Sequence, residues 1–388
     1  MDNPTHIPLF GPKPFVNEAH AAIAEEARSL ALAGGGVPHD AQGAAAWLAA
    51  SGLYSLLVPA DRGGRAVPGV PEGRIDVRAL CIVREVLGYV SPVADSIFAV
   101  QGLGSHAFVL SQRTTMGDEV LEKVAAGRTL SAFALTEPEA GSDVASMKTR
   151  AKRTDRGYVL DGEKVFISNV GIAKHYLVFA NAAPELGKKG ISCFLVPADA
   201  KGLTLSPMPL SGEHPFGKLV MNACEVSEGA LVGEVGHGMR LALGTLDVFR
   251  TSVGAAACGM AHRAFDEALA HVRTRAQFGK ALSEFQLTQA ALAEMLTDLE
   301  AARLLVYRAA FAKDAGERGV QEVAMAKLFA TEAAQRIIDR AVQLFGGRGV
   351  LLGSVVEQLY RDIRPLRIYE GTSEIQKLII GGSLVGPS

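Results

Sequence analysis

Glu370 stands in the stretch LRIYEGTSEIQKLII (366–380), between Tyr369 and Gly371 and just ahead of a last helix. A carboxylate there can work as a base if burial lifts it from its solution pKa of about 4.3. ALTEPEAGSD (134–143) offers the hydroxyls of Thr136 and Ser142, the carboxylate of Asp143, and Gly141, which lets backbone N–H groups approach a ligand. The same residues also build ordinary Asx- and ST-turns. In GEKVFISN (162–169) the alternation of a strand puts Phe166 and Ser168 on one face, around Ile167. That face suits a flat heterocycle, or is simply a half-buried strand. RTRAQFGK (273–280) closes a long helix, where Arg273 and Arg275 either answer the helix dipole or hold a phosphate by forked bonds.

Other chemistries find no support. QLFGGRG (343–349) and GEVGHG (233–238) lack a preceding strand, so neither is a dinucleotide fingerprint. The sequence holds no GxSxG elbow, no P-loop and no helical histidine pair for a metal. Cys81, Cys193, Cys224 and Cys258 are far apart in apolar stretches and read as buried thiols in a reducing compartment.

The elements that carry these residues divide the chain into three segments. Residues 1–130 read as an N-terminal helical domain, with alanine-rich segments around the Gly/Pro-rich loop VPADRGGRAVPGVPEGR. Residues 131–235 hold runs of period two: TLSAFALTE, KTRAKR, GYVLDGEKVFIS, HYLVFANA, GISCFLVPA, LTLSPM and KLVMNACEV. Turns are expected at Asp155-Arg156-Gly157, at Asp161-Gly162, and at Gly187 with Gly190. Strands without intervening helices indicate an antiparallel sheet or small barrel. Residues 236–388 return to helical period and predict a four-helix bundle. One apolar helix runs from about 238, a second has Leu292, Met295, Leu296, Leu299, Ala302 and Val306 on one stripe, and a third stops at Gly346-Gly347. The fold class is thus α+β and multi-domain.

With 388 residues, 48% apolar, 21% charged and a net charge of −2, the chain is globular and offers no basic field for nucleic acid. No apolar run reads as a membrane span of ~20 residues. The first arginine is Arg28, unlike an Arg-rich transit peptide, so the expected location is cytoplasmic.

Taken in order along the chain, ALTEPEAGSD, GEKVFISN, LDVFR, RTRAQFGK, QLFGGRG and IYEGTSEIQ resemble the signatures of the acyl-CoA dehydrogenase family of flavoproteins. The resemblance implies FAD and the oxidation of an acyl thioester to its trans-2-enoyl form. It implies that Phe133, Leu135, Thr136, Gly141 and Ser142 lie along the flavin, with Ser142 also near the thioester. Phe166, Ile167 and Ser168 would cover the ring, where the family more often has Trp and Thr. Asp247 and Arg250 would face the pantetheine arm and the base. Arg275, Phe278, Gln286, Gln343, Gly346 and Gly347 would hold the adenine dinucleotide across a subunit interface, completed by Thr372 and Glu374. Glu370 matches the family's usual base. Some members use instead a glutamate just before the arginine of LDxxR, and Phe249 stands there. The implied partners are acyl-CoA or acyl-carrier-protein thioesters, an electron-transferring flavoprotein, and further copies of the chain, as a tetramer before a dimer. No metal is implied.

The chemistry agrees with that assignment. A saturated acyl chain needs a base at its α-carbon and a hydride acceptor at its β-carbon, which amino acids cannot supply. SEIQ (373–376) reads as a capping box with Ser373 as N-cap, whose positive helix end favours ionised Glu370. Desolvation is then expected to prevail only once substrate has expelled water. The chain departs from the family at Glu139, where a small residue is usual, and at LSGEHPFGK (210–218), where His214 reads as an exposed loop residue. The alternatives on the same fold are a flavin oxidase or monooxygenase, and a non-catalytic thioester-binding module. Were Glu370 not the base, Glu139 or Glu213 would be sought first.

Overall fold

The computed structural model describes residues 11–386, so the first part of the stretch read for targeting lies outside the described residues. The helices preceding the sheet are α1 (Glu18–Leu32), α2 (Ala41–Ser51), α3 (Val77–Val90), α4 (Pro92–Leu110) and α5 (Thr115–Ala125). The strands follow: β1 (Ser131–Ala134), β2 (Arg150–Thr154), β3 (Gly157–Ser168), β4 (His175–Asn181), β5 (Ile191–Pro197), β6 (Leu203–Pro207), β7 (Phe216–Ser227) and β8 (Leu231–Val232). After α6 (Gly238–Thr274) comes a hairpin of β9 (Ala276–Gln277) and β10 (Lys280–Ala281), then α7 (Gln286–Asp314), α8 (Val320–Phe345), α9 (Val355–Asp362) and α10 (Ser373–Val385).

By packing, the chain forms two compact units. The first comprises, among the described residues, 11–37, 76–95 and 250–386 and is mainly helical. Here α1 packs on α3, α3 on α7, α7 on α8 and α10 on α8. Helix α6 comes so close to α3 that a Cβ added at Gly259 would lie 2.1 Å from the Glu85 carbonyl oxygen. Several charges buried in this unit are paired. Glu85 accepts from Tyr307 Oη at 2.6 Å and Arg303 Nε at 2.7 Å, and Asp76 pairs with His20 at 3.0 Å. On α7 the apolar stripe is buried at Met295, Leu299, Ala302 and Val306, but Leu296 turns outward.

The second unit, residues 38–75 and 96–249, holds the sheet. Its order is β6-β7-β3-β2-β4-β5-β8, with β1 also beside β4. Tyr158, Leu160, Tyr176, Val178, Phe194 and Leu219 form its apolar core, as period two requires. Most pairings are antiparallel, but β1–β4 and β2–β4 are parallel, so the sheet is mixed. The β2–β3 hairpin intervenes between β1 and β4, and a hydropathy pattern carries no strand direction. Asp161-Gly162 is not a turn: β3 runs through it with a register shift. Gly162 has φ +147°, and a Cβ there would meet Thr149 Oγ1 at 2.5 Å.

One other sequence expectation changes. Helix α4 is 19 residues long with mean hydropathy 1.3, long and apolar enough by composition to cross a membrane, but its apolar window is 83% buried inside the protein. That is the mark of a core helix. All four cysteines are buried and unpaired.

Candidate active site

Glu370 closes a short turn after α9. Tyr369 N–H and Ile368 N–H donate to Pro365 O, and the chain then enters left-handed backbone at Glu370 (φ +54°) and Gly371 (φ +95°). Three side chains hold this turn by its carbonyls. Arg250 Nε donates to Glu370 O at 2.7 Å, Lys327 Nζ to Gly371 O at 2.8 Å, and Gln376 Nε2 to Gly371 O at 2.9 Å. Gly371 suits this backbone, which L side chains rarely adopt, and a Cβ there would also displace the Gln376 amide, 2.7 Å away.

The helix behind it starts one residue earlier than the sequence suggested. Thr372 is the N-cap of α10, and its hydroxyl accepts from Ile375 N–H. Ser373 Oγ instead donates to Glu332, and Gln376 reaches back to the turn carbonyls, so no Ser373–Gln376 capping box forms. Thr372 has extended rather than helical backbone (ψ 165°), which fits it for the cap.

As a residue Glu370 is half-buried, but its Oε2 is shielded from solvent and has no hydrogen-bond partner among the described residues. Burial pushes its carboxyl above the usual range; Arg84, Arg250 and Lys327 pull it down without cancelling that. Desolvation thus prevails already in the protein alone, ahead of the sequence expectation. Each of these cations gives at least one donor to another group. Arg84 is fully buried and gives Nε and Nη2 to Asp95 at 2.8 and 2.9 Å and Nη1 to Ser252 Oγ at 2.9 Å. Burial lowers Lys327 to about 8. Neither Arg84 nor Lys327 was among the residues singled out from sequence. Each is the one cation in an apolar helical stretch, ALCIVREVLGYV and VAMAKLFA, and that was the readable signal.

The sheet unit assembles a second group. Phe133 is half-buried with its ring 5.0 Å from Phe179, Leu135 is buried, and Thr136 O accepts from Val165 N–H at 3.0 Å. The loop then turns tightly at Glu137–Ala140 and leaves Glu139, Gly141 and Ser142 exposed, with open space around Gly141. Its anchor was not foreseen. Lys164 Nζ, fully buried, bonds Glu137 Oε1 at 2.8 Å and Leu135 O at 3.0 Å, and Glu137 also accepts from Lys148 N–H and Thr149 N–H. Burial pushes Glu137 up, but Lys164 and these N–H groups bring it below the usual carboxylate range; burial lowers Lys164 to about 8. On β3 a register shift between Lys164 and Ile167 throws Phe166 outward, 58% exposed and at φ +61°. Exposed Phe166 and half-buried Ser168 flank buried Ile167, but the register shift at Phe166 interrupts the alternation on which their shared face was expected.

His214 overturns its expected place as an exposed loop residue. Its Nδ1 is buried, and its Nε2 lies 2.7 Å from Ser168 Oγ. Phe249 is fully buried, its ring edge-on to His106 at 5.6 Å, and a Cβ on Gly102 would meet it at 2.3 Å. The alternative base position is therefore core. Glu139 and Glu213 are both exposed.

The remaining residues sit on the helical unit, except Asp247, which is half-buried on the α6 segment of the sheet unit, one turn before Arg250. Helix α6 ends at Thr274, so Arg275 follows the helix and leads into the β9–β10 hairpin. Phe278 (φ +52°) and Gly279 (φ +81°) make its two-residue turn. His271 stacks on Phe345 at 4.2 Å and joins the ends of α6 and α8. Around that joint Arg275, Phe278, Gln343, Gly346 and Gly347 are exposed, as is Gln286 at the start of α7. Phe278 is 93% exposed, and Gly346 and Gly347 face open space. Thr372 is half-buried and Glu374 exposed.

Residues 132–224 match the family model of the acyl-CoA dehydrogenase middle domain, and residues 236–385 that of the acyl-CoA dehydrogenase C-terminal domain. The chain is 38% identical over 343 residues to a probable acyl-CoA dehydrogenase of Mycobacterium tuberculosis, covering 87% of this chain and 86% of the relative. It is 34% identical over 346 residues to subunit CarC of the caffeyl-CoA reductase-Etf complex of Acetobacterium woodii, covering 87% and 88%. The fold matches butyryl-CoA dehydrogenase from Megasphaera elsdenii with a TM-score of 0.89 at 30% identity, over 96% of this chain and 99% of that one.

Proposed function

Since the chain belongs to the acyl-CoA dehydrogenase family, an oxidoreductase family, we propose that it is an FAD-dependent enzyme removing two hydrogens from the α- and β-carbons of an acyl-CoA. The observation that carries this is Glu370: a carboxylate with one shielded, unbonded oxygen, raised by burial and fixed through its backbone rather than its side chain. Such a group is free to take a proton.

The residues present fit FAD. Exposed Phe166 and half-buried Ser168 give an apolar wall with a hydroxyl, and the open glycine loop at Gly141 leaves backbone accessible. Phe133, Leu135, Thr136, Ser142 and Ile167 would complete that face, and Arg275, Phe278, Gln286, Gln343, Gly346, Gly347, Thr372 and Glu374 would hold the dinucleotide. When bound, the flavin supplies the hydride acceptor that no side chain offers. Glu370 takes the α-proton. Its backbone N–H donates to the thioester carbonyl, where enolate charge develops. Arg250, Lys327 and Gln376 keep that N–H and the carboxylate in fixed relation by holding the adjoining carbonyls. Ser142, Asp247 and Arg250 would meet the thioester and its pantetheine arm, which coenzyme A and acyl carrier protein share.

The acceptor of the electrons would be an electron-transferring flavoprotein, in keeping with a relative named as part of an Etf complex. The same reading includes a homo-oligomer, with a tetramer favoured; large apolar side chains left in water on the helical unit, Phe278 at 93% and Leu287 at 87% exposure, support association.

The test is a panel of acyl-CoA and acyl-carrier thioesters mixed anaerobically with the purified protein. Expected are a yellow protein whose extracted chromophore is FAD, bleaching by at least one thioester, and slow recolouring in air. Extracted FMN, or no chromophore after reconstitution, sinks the cofactor assignment. Fast recolouring in air makes the protein an oxidase.

A further inference from the structure

His214 belongs to none of the roles assigned above, yet the fold places its ring with care. β7 begins at Phe216, which pairs with Ser168, while Asn169 N–H donates to Pro215 O at 2.8 Å. A Cβ on Gly217 would lie 2.4 Å from Ser206 O, so the strand can come this close only with glycine there. His214 Nε2 is thereby held 2.7 Å from Ser168 Oγ and 3.3 Å from Ser96 Oγ. Phe216 lies beside it, centroid to centroid 6.1 Å, and its ring runs nearly parallel to Phe166 at the same spacing.

The tautomer follows from the partners. Nδ1 is buried and has none among the described residues. A proton there would be a buried donor without an acceptor, which costs about 1–3 kcal/mol. A proton on Nε2 gives both serine oxygens something to accept and leaves only a lone pair unmet; buried acceptors go unpaired more often than buried N–H groups. Burial lowers this histidine to about 4, so the ring is neutral near pH 7. With Nε2–H donating to it, Ser168 Oγ cannot return its own proton to His214, its one partner among the described residues.

We propose that His214 is a positioning residue: its Nε2–H fixes Ser168 as a one-way donor toward the bound flavin and so biases the cofactor toward its oxidised form. This rests on the reading of Ser168 as a flavin contact. The chemistry is general. Oxidised flavin carries a ring nitrogen that accepts a hydrogen bond, and two-electron reduction turns that nitrogen into an N–H donor; Ser168 would be the hydroxyl that meets it. A hydroxyl free to rotate serves both states, whereas one held by His214 serves the first better.

The experiment measures the flavin midpoint potential, with the absorption spectrum, in FAD-loaded wild type, H214F, H214Q, S168A and H214F/S168A. H214F should move the oxidised-to-reduced balance toward reduced flavin by about two- to tenfold at fixed potential, the worth of one hydrogen bond. Tenfold corresponds to about 30 mV for two electrons. H214Q keeps an N–H donor and should stay near wild type. In the S168A background H214F should have no effect. An unmoved or lowered potential in H214F, or a shift that persists without Ser168, overturns the proposal. Imidazole ¹⁵N shifts of the wild-type protein give a second reading that needs neither variant nor cofactor: an Nδ1–H tautomer overturns it. A wild type that binds no FAD at all would instead refute the proposed function, while the ¹⁵N result still decides the state of His214.

Discussion

Glu137 and Glu370 both lie beside buried cations, one in each unit, and folding drives them in opposite directions. Glu137 accepts three direct bonds, from Lys164 Nζ and two backbone N–H groups, and its pKa falls. Glu370 has Arg84, Arg250 and Lys327 for neighbours, and its pKa rises. The difference lies in where the donors point. Arg250 and Lys327 are bonded to backbone carbonyls of the Glu370 turn, and Arg84 is occupied by Asp95 and Ser252. A cation nearby lowers a carboxylate only modestly when its hydrogens are committed elsewhere, and burial then prevails. Glu137 is a fastening; Glu370 is held ready.

The sharpest break in this comparison is Glu370→Gln. Anaerobic single-turnover reduction of the flavin should slow by about 10²–10⁴-fold, the worth of a positioned base, with FAD content unchanged. A rate within tenfold of wild type means the proton goes elsewhere. The same variant has a stability signature. Folding raises this pKa, so ionising Glu370 weakens the fold as pH rises through it. The variant should therefore gain on wild type in Tm at about pH 8 relative to about pH 4.

Lys164→Met should act on the other carboxylate and through stability. Stranding Glu137 in the interior costs about 3–5 kcal/mol in denaturant unfolding, and adding Glu137→Leu should restore part of it. A loss under about 1 kcal/mol would mean the pair does not anchor the 135–149 loop. Smallest is Lys327→Met. It removes a cation that favours ionised Glu370, so the rise of the reduction rate with pH should move to higher pH, and the lost bond to Gly371 O should lower the plateau modestly. A profile that stays in place or moves down would show that Lys327 does not act on Glu370's charge.

Much of this was written in the sequence. The seven period-two runs became β1 to β7, and the apolar stripe of α8 ends at Gly346 as its glycine pair indicated. Local pattern carries such features because each depends on neighbours a few residues away. What escaped depends on residues brought together from afar. Glu137 meets Lys164 across 27 positions and His214 meets Ser168 across 46. The parallel pairing of β1 with β4 and the burial of His214 are of the same kind. The helix start at 372 was missed for a different reason: Thr372 and Ser373 are both good caps by type, and the choice falls to backbone angles and to Glu332, which claims Ser373.

The left-handed backbone at Glu370 has a bearing on how this sequence can drift. A non-glycine side chain at φ +54° is held against its preference by about 1–2 kcal/mol, and the raised carboxyl adds to that. Position 370 is thus one where abundance and turnover select for different letters. In a saturation library sorted for soluble protein, Gly and Asn should outcompete Glu at 370; sorted for thioester oxidation, Glu should stand almost alone. An enzyme of this lineage that lost its reaction but kept its fold would be expected to show that loss first in this one codon.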